Sequence, residues 1–287
     1  MDENFEKDWN KAKEISDVVM EFSRGLVRKG ARVLDIADSI EQKILSMGAK
    51  PAWPVNISIN EIAAHYTPVA NDTLVLDEND LVKMDIGVQI NGLAVDRAYT
   101  VCIGKKKHPM IEASQKAVDE TLKILKPGVK VCELSEVMEN TVKEFGFNTI
   151  RNLCGHAIER NEQHALPSIP NAKNTNQTKI KEGQLIAIEV FVTDGIGWVM
   201  DSGQELIFKH VADRPVRMWE ARQLLEIAKK DFDRLPFAKR WIKDVPIMKL
   251  DLAINELLDN GSLHGYSPLK EQSNAPVAVT EETKFVK

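Results

Sequence analysis

The sequence predicts an α+β fold of two similar halves with a pseudo-two-fold relation, interrupted late in the second half by a helical insertion. Three observations carry this expectation. A two-residue Asn91-Gly92 turn separates two β-rich runs, a glycine-bounded helical pattern recurs at an offset of 98 residues, and helix-like periodicity takes over after Ile207 before strand character returns at Ala275 to Val286.

From Phe5 to Leu26, apolar residues at Phe5, Trp9, Ala12, Ile15, Val19, Phe22 and Leu26 describe one face of an amphipathic helix. A second helix is expected from Val33 to Met47, with Gly48 where a helix C-terminal glycine belongs. Pro51 and Pro54 then impose an extended, irregular path. Leu81 to Val88 and Leu93 to Val101 read as the arms of a tight hairpin. The echo follows: Gly30 and Gly128, Ile36 and Leu134, Ile40 and Met138, Ile44 and Val142, and Gly48 and Gly146 all keep the same offset. A second echo aligns Leu76 through Asp85 with Ile180 through Glu189, so two carboxylates end matching strands. An internal duplication accounts for both and leaves room for a site between the halves; chance similarity of two amphipathic helices is the alternative. Past Ile207, helical segments are expected at Met218 to Asp231 and Met248 to Leu258. The expected division is a main domain of residues 1–206 with 269–287, and an insertion of 207–268.

Of the 287 residues, 43% are hydrophobic and 28% charged, the balance of a soluble globular protein. A net charge of −5 speaks against a chain whose main task is gripping nucleic-acid phosphates. Cys102, Cys132 and Cys154 are odd in number and widely spaced, suggesting neither a disulfide framework nor a zinc knuckle, and a reducing cytoplasm fits best. The segment Met1 to Lys13 is studded with charge rather than shaped as a signal peptide, and the densest apolar run, Leu185 to Thr193, is too short to span a bilayer. No membrane partner is expected.

The hairpin geometry can be worked out directly. With Asn91-Gly92 central in the turn, paired residue numbers sum to 183, so Asp85 faces Ala98 and Gly87 faces Asp96. Asp85 and Asp96 then lie diagonally on one face, roughly 5.5 to 8 Å apart at the backbone. Their neighbours there are the small residues Gly87, Ala94 and Ala98. Two such carboxylates repel unless a cation lies between them, one stays protonated, or both face solvent; a metal is the economical answer. Glu189 sits in a run apolar on both faces, hence a central strand, where a carboxylate must be paired or metal-bound. Glu281 shares a strand face with Val277, Val279 and Phe285, while Glu282 points the other way; taken alone, Glu281 reads as a surface acid. His65, His156 and His164 sit in suggestive places, although a lone histidine near an apolar segment is more often structural than a ligand.

The segment from Pro51 through His65 to Pro68 resembles the signature of the type II methionine aminopeptidases. So do Lys83-Met-Asp85-Ile-Gly with Asp96 eleven residues on, Asn152-Leu-Cys-Gly-His156 with His164 and Pro167-Ser-Ile-Pro-Asn, and Ala187-Ile-Glu189. The resemblance extends from Phe5 to the end, includes the insertion, and looks like the archaeal form. It implies the pita-bread (creatinase/aminopeptidase) fold and removal of the initiator methionine from nascent chains with a small second residue. It implies that Asp85 and Glu281 bind both of two divalent ions (cobalt, manganese, iron(II) or zinc), Asp96 one of them, with His156 and Glu189 completing the set. Glu189 would also shuttle a proton; His65 and His164 would contact the peptide and stabilise the tetrahedral intermediate. Trp53, in the place of a family phenylalanine, Tyr266, and Gln163, in the place of an apolar residue, would line the methionine pocket. The partners implied are N-terminal methionyl peptides and nascent chains, with the ribosome a candidate, and the chain is expected to act as a monomer. Around the last ligand the residues are Thr280-Glu281-Glu282 where the family reads Phe-Glu-His, and the chain stops six residues later, which predicts an uncovered sheet edge beside Glu281. Two other readings use the same fold. A member without activity would serve as a ribosome- or RNA-associated binding module, but every ligand position is filled here. A proline-directed aminopeptidase is opposed by the insertion and the His65 segment.

Overall fold

The computed structural model describes residues 3–287; Met1 and Asp2, the start of the charged N-terminal segment, lie outside the described residues. The first periodic pattern forms helix α1 (Glu3–Arg24) and the second forms α2 (Val33–Ser46), followed by Gly48 at a φ of 77°. Their echo is α3 (Pro109–Ile124) and α4 (Val131–Glu144), with Gly146 at a φ of 82°. The duplication is visible in individual hydrogen bonds. Gly30 donates to the Leu76 carbonyl at 2.8 Å and Gly128 to that of Ile180 at 2.8 Å; Val33 donates to Leu74 at 3.0 Å and Val131 to Thr178 at 2.9 Å. Each half thus clamps the entry of a helix against the segment leading into a long strand.

Those strands, in chain order, are β1 (Asn56–Ile59), β2 (Leu81–Ile90), β3 (Leu93–Cys102), β4 (Cys154–Glu159), β5 (Glu162–Pro170) and β6 (Leu185–Thr193). Beyond them come β7 (Ile207–His210), β8 (Leu263–Tyr266) and β9 (Val277–Phe285). In the main sheet the order is β2, β3, β9, β6, β4, β5, with β1 added to β2 and every pairing antiparallel. The β2–β3 hairpin has the expected register, Asp85 opposite Ala98 and Gly87 opposite Asp96, because Asn91 and Gly92 take the turn at φ 51° and 81°.

The end of the chain departs from expectation. Rather than lying at an uncovered edge, β9 is interior: it pairs with β6 over its whole length and with β3 at Glu281 and Glu282. Strand order in the sheet is not chain order, so the last strand is enclosed by two that precede it.

Strand alternation divides the sheet into two faces. Met84, Ile86 and Val88 join the core beneath α1 and α2, and Ile186, Ile188, Val190 and Val192 join that beneath α3 and α4. Asp85, Gly87 and Glu189 therefore point to the opposite face. Residues from β7 to β8 gather a separate core of Phe208, Leu224, Phe237, Leu250, Ile254, Leu257 and Leu263 around helices α5 (Trp219–Ile227) and α6 (Ile247–Asp259). This stretch also carries strands: β7 pairs with Phe237–Ala238 and with β8. It is tied to α2 by buried Arg240, which pairs with Glu41 and donates to Thr67 Oγ1 at 2.8 Å. Glu41 also accepts from Trp241 Nε1 at 2.8 Å. Among the described residues no helix is long and apolar enough to cross a membrane.

Candidate active site

The sheet register lines up the carboxylates before any side chain is considered. Asp85 stands opposite Ala98, Ala98 opposite Glu281, and Glu281 opposite Glu189, giving one row across β2, β3, β9 and β6. Asp96 lies two residues from Ala98 on the same face, and His156 of β4 is opposite Ala187, two residues from Glu189. Residues far apart in sequence thus meet because lateral neighbours in a sheet share a face.

Two compact clusters result. The ligand atoms of Asp85, Asp96 and Glu281 lie within 4.8 Å of one another, and so do those of Asp96, His156 and Glu189. Asp96 is the member common to both, which differs from the resemblance, where Asp85 and Glu281 take the shared places. Asp96, His156 and Glu281 are no more than 5% exposed. Glu281 rather than Glu282 belongs to the site; Glu282 turns away to accept from Arg97 Nε at 2.8 Å.

The electrostatics follow from crowding four carboxylates together, Asp96 and Glu281 buried and Asp85 and Glu189 partly buried. Burial first, then neighbouring Asp96 and Glu189, raise the Asp85 carboxyl well above its usual range. Burial followed by Glu189, Asp85 and Asp96 does the same to Glu281, and burial raises Glu189 against the pull of His156. Burial alone would depress His156, but the carboxylates of Glu189 and Asp96 outweigh it and raise the imidazole well above its ordinary value. His156 Nε2 comes within 2.8 Å of Glu189 Oε1 and 3.5 Å of Asp96 Oδ2, yet Nε2 and the buried Asp96 Oδ1 make no aligned hydrogen bond. Buried polar atoms left this way are costly unless something else satisfies them. A carboxylate-rich set with one imidazole suits borderline to hard divalent ions, so these residues fit a metal centre.

The clusters form the floor of a cavity of about 330 Å³. Every residue expected at the site lines it: the five acidic and imidazole groups together with Trp53, His65, Gln163, His164 and Tyr266. The His164 ring meets that of His156 edge-on at 4.6 Å, and His65 meets Tyr266 at 5.5 Å. Desolvation within the cavity lowers the half-buried His65 imidazole to about 4, and desolvation together with the neighbouring His156 lowers His164, although that residue stays exposed, so both are neutral at neutral pH. His65 adopts a φ of 65°, an uncommon conformation for a residue with a Cβ, beside the cavity.

Sequence reasoning missed Asn56, Cys154, Ser168 and Phe191, which also line the cavity. Phe191 and Cys154 could have been found two residues from Glu189 and His156. Asn56 and Ser168 needed the pairings that set them opposite Asp85 and His156. Trp53 was expected as a pocket wall, and it also donates its indole N–H to Asp85 Oδ1 at 3.0 Å.

The profile of Metallopeptidase family M24 matches residues 7–212. The chain is 42% identical over 277 residues to a methionine aminopeptidase of Pyrococcus abyssi strain GE5 / Orsay, covering 96% of this chain and 94% of that protein. Among solved structures it is similar to a thermophilic Arx1, with a TM-score of 0.89 at 16% identity, covering 99% of this chain and 88% of that one. It is also similar to a methionine aminopeptidase from Thermotoga maritima, with a TM-score of 0.71 at 20% identity, covering 100% and 94%. At those identities the two structures bear on the fold alone. The profile spans most of the chain and the Pyrococcus relative aligns almost end to end, so the chain belongs to the methionine aminopeptidases of metallopeptidase family M24.

Proposed function

We propose that this protein removes the N-terminal methionine from nascent chains with a small second residue, using two divalent ions held by Asp85, Asp96, His156, Glu189 and Glu281. The observation that carries the reading is the pair of largely buried clusters sharing Asp96, four carboxylates in all, whose combined charge two divalent cations would balance. Cobalt, manganese, iron(II) and zinc all suit the donor set. When bound, such ions supply Lewis-acid polarisation of the scissile carbonyl and lower the pKa of water.

The residues of the chain do the rest. Glu189, whose carboxyl is raised by burial, takes the proton of the attacking water and delivers it to the leaving amine. His65 and His164, both neutral, offer ring N–H groups to the substrate carbonyl as negative charge develops on its oxygen. Trp53, Gln163 and Tyr266 surround the methionine side chain, with Phe191 and Ile207 adding apolar wall. The cytoplasm suits the three cysteines, none paired among the described residues, and a monomer suffices because one chain contributes every named group.

The test is release of methionine from Met-Ala-Ser by protein stripped with a chelator and supplied with manganese or cobalt. Turnover that appears on adding metal and disappears on removing it is expected. A folded, metal-loaded protein with no turnover would favour the binding-module reading, and cleavage of X-Pro peptides instead would favour the proline-directed one.

A further inference from the structure

We propose that Trp53 and Asn56 are positioning residues that aim Asp85 at Asp96 and Glu281, so that metal affinity depends on an indole and an amide outside the ligand set. The inference rests on the function proposed above and extends it to residues that touch no metal.

Asp85 has two carboxylate oxygens, and each is held by a different donor. Trp53 Nε1 donates to Oδ1 at 3.0 Å, and Asn56 Nδ2 donates to Oδ2 at 3.1 Å. Both donors are nearly inaccessible, at 2% and 3% exposure. Neither can turn away without loss. Asn56 Nδ2 also donates to the Pro54 carbonyl at 3.2 Å, which fixes which end of the amide faces Asp85. The Trp53 ring lies so close over the hairpin that a Cβ on Gly87 would fall 2.5 Å from it. The glycine opposite Asp96 therefore makes room for the indole that steers Asp85.

Each donor takes up lone-pair capacity on one oxygen and leaves the remainder directed at the cluster. Without them Asp85 could rotate, and an incoming cation would have to order it first. Outer partners of this kind typically cost about 10- to 100-fold in metal affinity when removed. Trp53 stands where the sequence resemblance expects phenylalanine, which offers no donor, so this contact is a property of the present chain.

Calorimetric titration of the full, chelator-treated chain with manganese tests the proposal, with the visible spectrum of the cobalt-loaded protein as a second readout. Trp53→Phe deletes the N–H together with part of the indole that packs on Gly87; Asn56→Ala deletes the other donor without touching that packing, and keeps the experiment decisive if the tryptophan variant folds poorly by circular dichroism. Manganese affinity about tenfold or more weaker in a folded variant, with an altered cobalt spectrum, is the expected result. Wild-type affinity and spectrum in the folded variants would overturn the positioning role and leave the proposed function standing. A wild-type chain that takes up no metal would overturn the proposed function and this inference with it.

Discussion

Replacing Glu281 by glutamine separates the two halves of the electrostatic argument, because it keeps the shape of the side chain and removes its charge. In the metal-free chain Glu281 lies with Asp85 and Asp96 inside a cluster whose ligand atoms are within 4.8 Å of one another. At that separation and an effective dielectric constant of about 20, two ionised carboxylates repel by about 3.5 kcal/mol. The folded chain answers by holding protons, and Glu281 is raised well above its ordinary range by burial and then by Glu189, Asp85 and Asp96. A carboxyl whose folded value is raised contributes stability that is complete below the unfolded value of 4.5 and is lost as pH climbs through the raised value. Metal-free wild type should therefore weaken from pH 5 to pH 8, and Glu281→Gln should flatten that decline. At pH 7.5 the variant should gain about 2 kcal/mol, which for a chain of this size is a rise in melting temperature of about 4 to 8 °C. Manganese reverses the ranking: at one hundred times its dissociation constant it stabilises wild type by about 2.7 kcal/mol, and the variant by much less. Thermal melts with chelator and with manganese, across that pH range, measure all of this. Metal-free Glu281→Gln melting below wild type, or equal stabilisation of both by manganese, would refute this picture of the cluster. Glu282→Gln is the control; it loses an ion pair with Arg97 at the sheet's other face, worth about 0.2 to 1 kcal/mol, and leaves the metal response unchanged.

Three further outcomes are expected. Arg240→Ala leaves Glu41 buried without its cation and should cost about 3 to 5 kcal/mol in urea denaturation. Gly87→Ala places a methyl group against the Trp53 ring and should cost about 1 to 3 kcal/mol while also weakening manganese uptake, as calorimetry would record. His65, held at about 4 by desolvation, stays neutral down to that pH while the unfolded chain protonates from about 6.5, so its contribution to stability is lost as pH falls between those values. A pH series of melts on wild type and His65→Gln should show a smaller acid-side loss in the variant, with His164 accounting for part of what remains.

How far the sequence discloses the site depends on how local each signal is. The hairpin was legible to the residue because a two-residue Asn-Gly loop permits one register, and that register alone sets Asp85 and Asp96 on one face. The duplication was legible because a repeat is compared with itself, and the matched hydrogen bonds of Gly30 and Gly128 follow from it. Glu281 is the opposite case. Its burial comes from pairing with Ala98 and Glu189, 183 and 92 residues earlier, and no local pattern encodes insertion of the last strand between β3 and β6. The same non-local pairing hid Asn56, placed opposite Asp85 by β1, and so hid the second of the two donors that hold that carboxylate. Trp53 was visible as an aromatic at the pocket, but its N–H contact depends on a ring orientation set by Gly87.

The central claim is that a pair of cations occupies adjoining cages with Asp96 between them. Anomalous diffraction from crystals soaked in manganese addresses it directly. Two peaks are expected, one among Asp85, Asp96 and Glu281 and the other among Asp96, His156 and Glu189; a map with no anomalous density at either place would contradict the account.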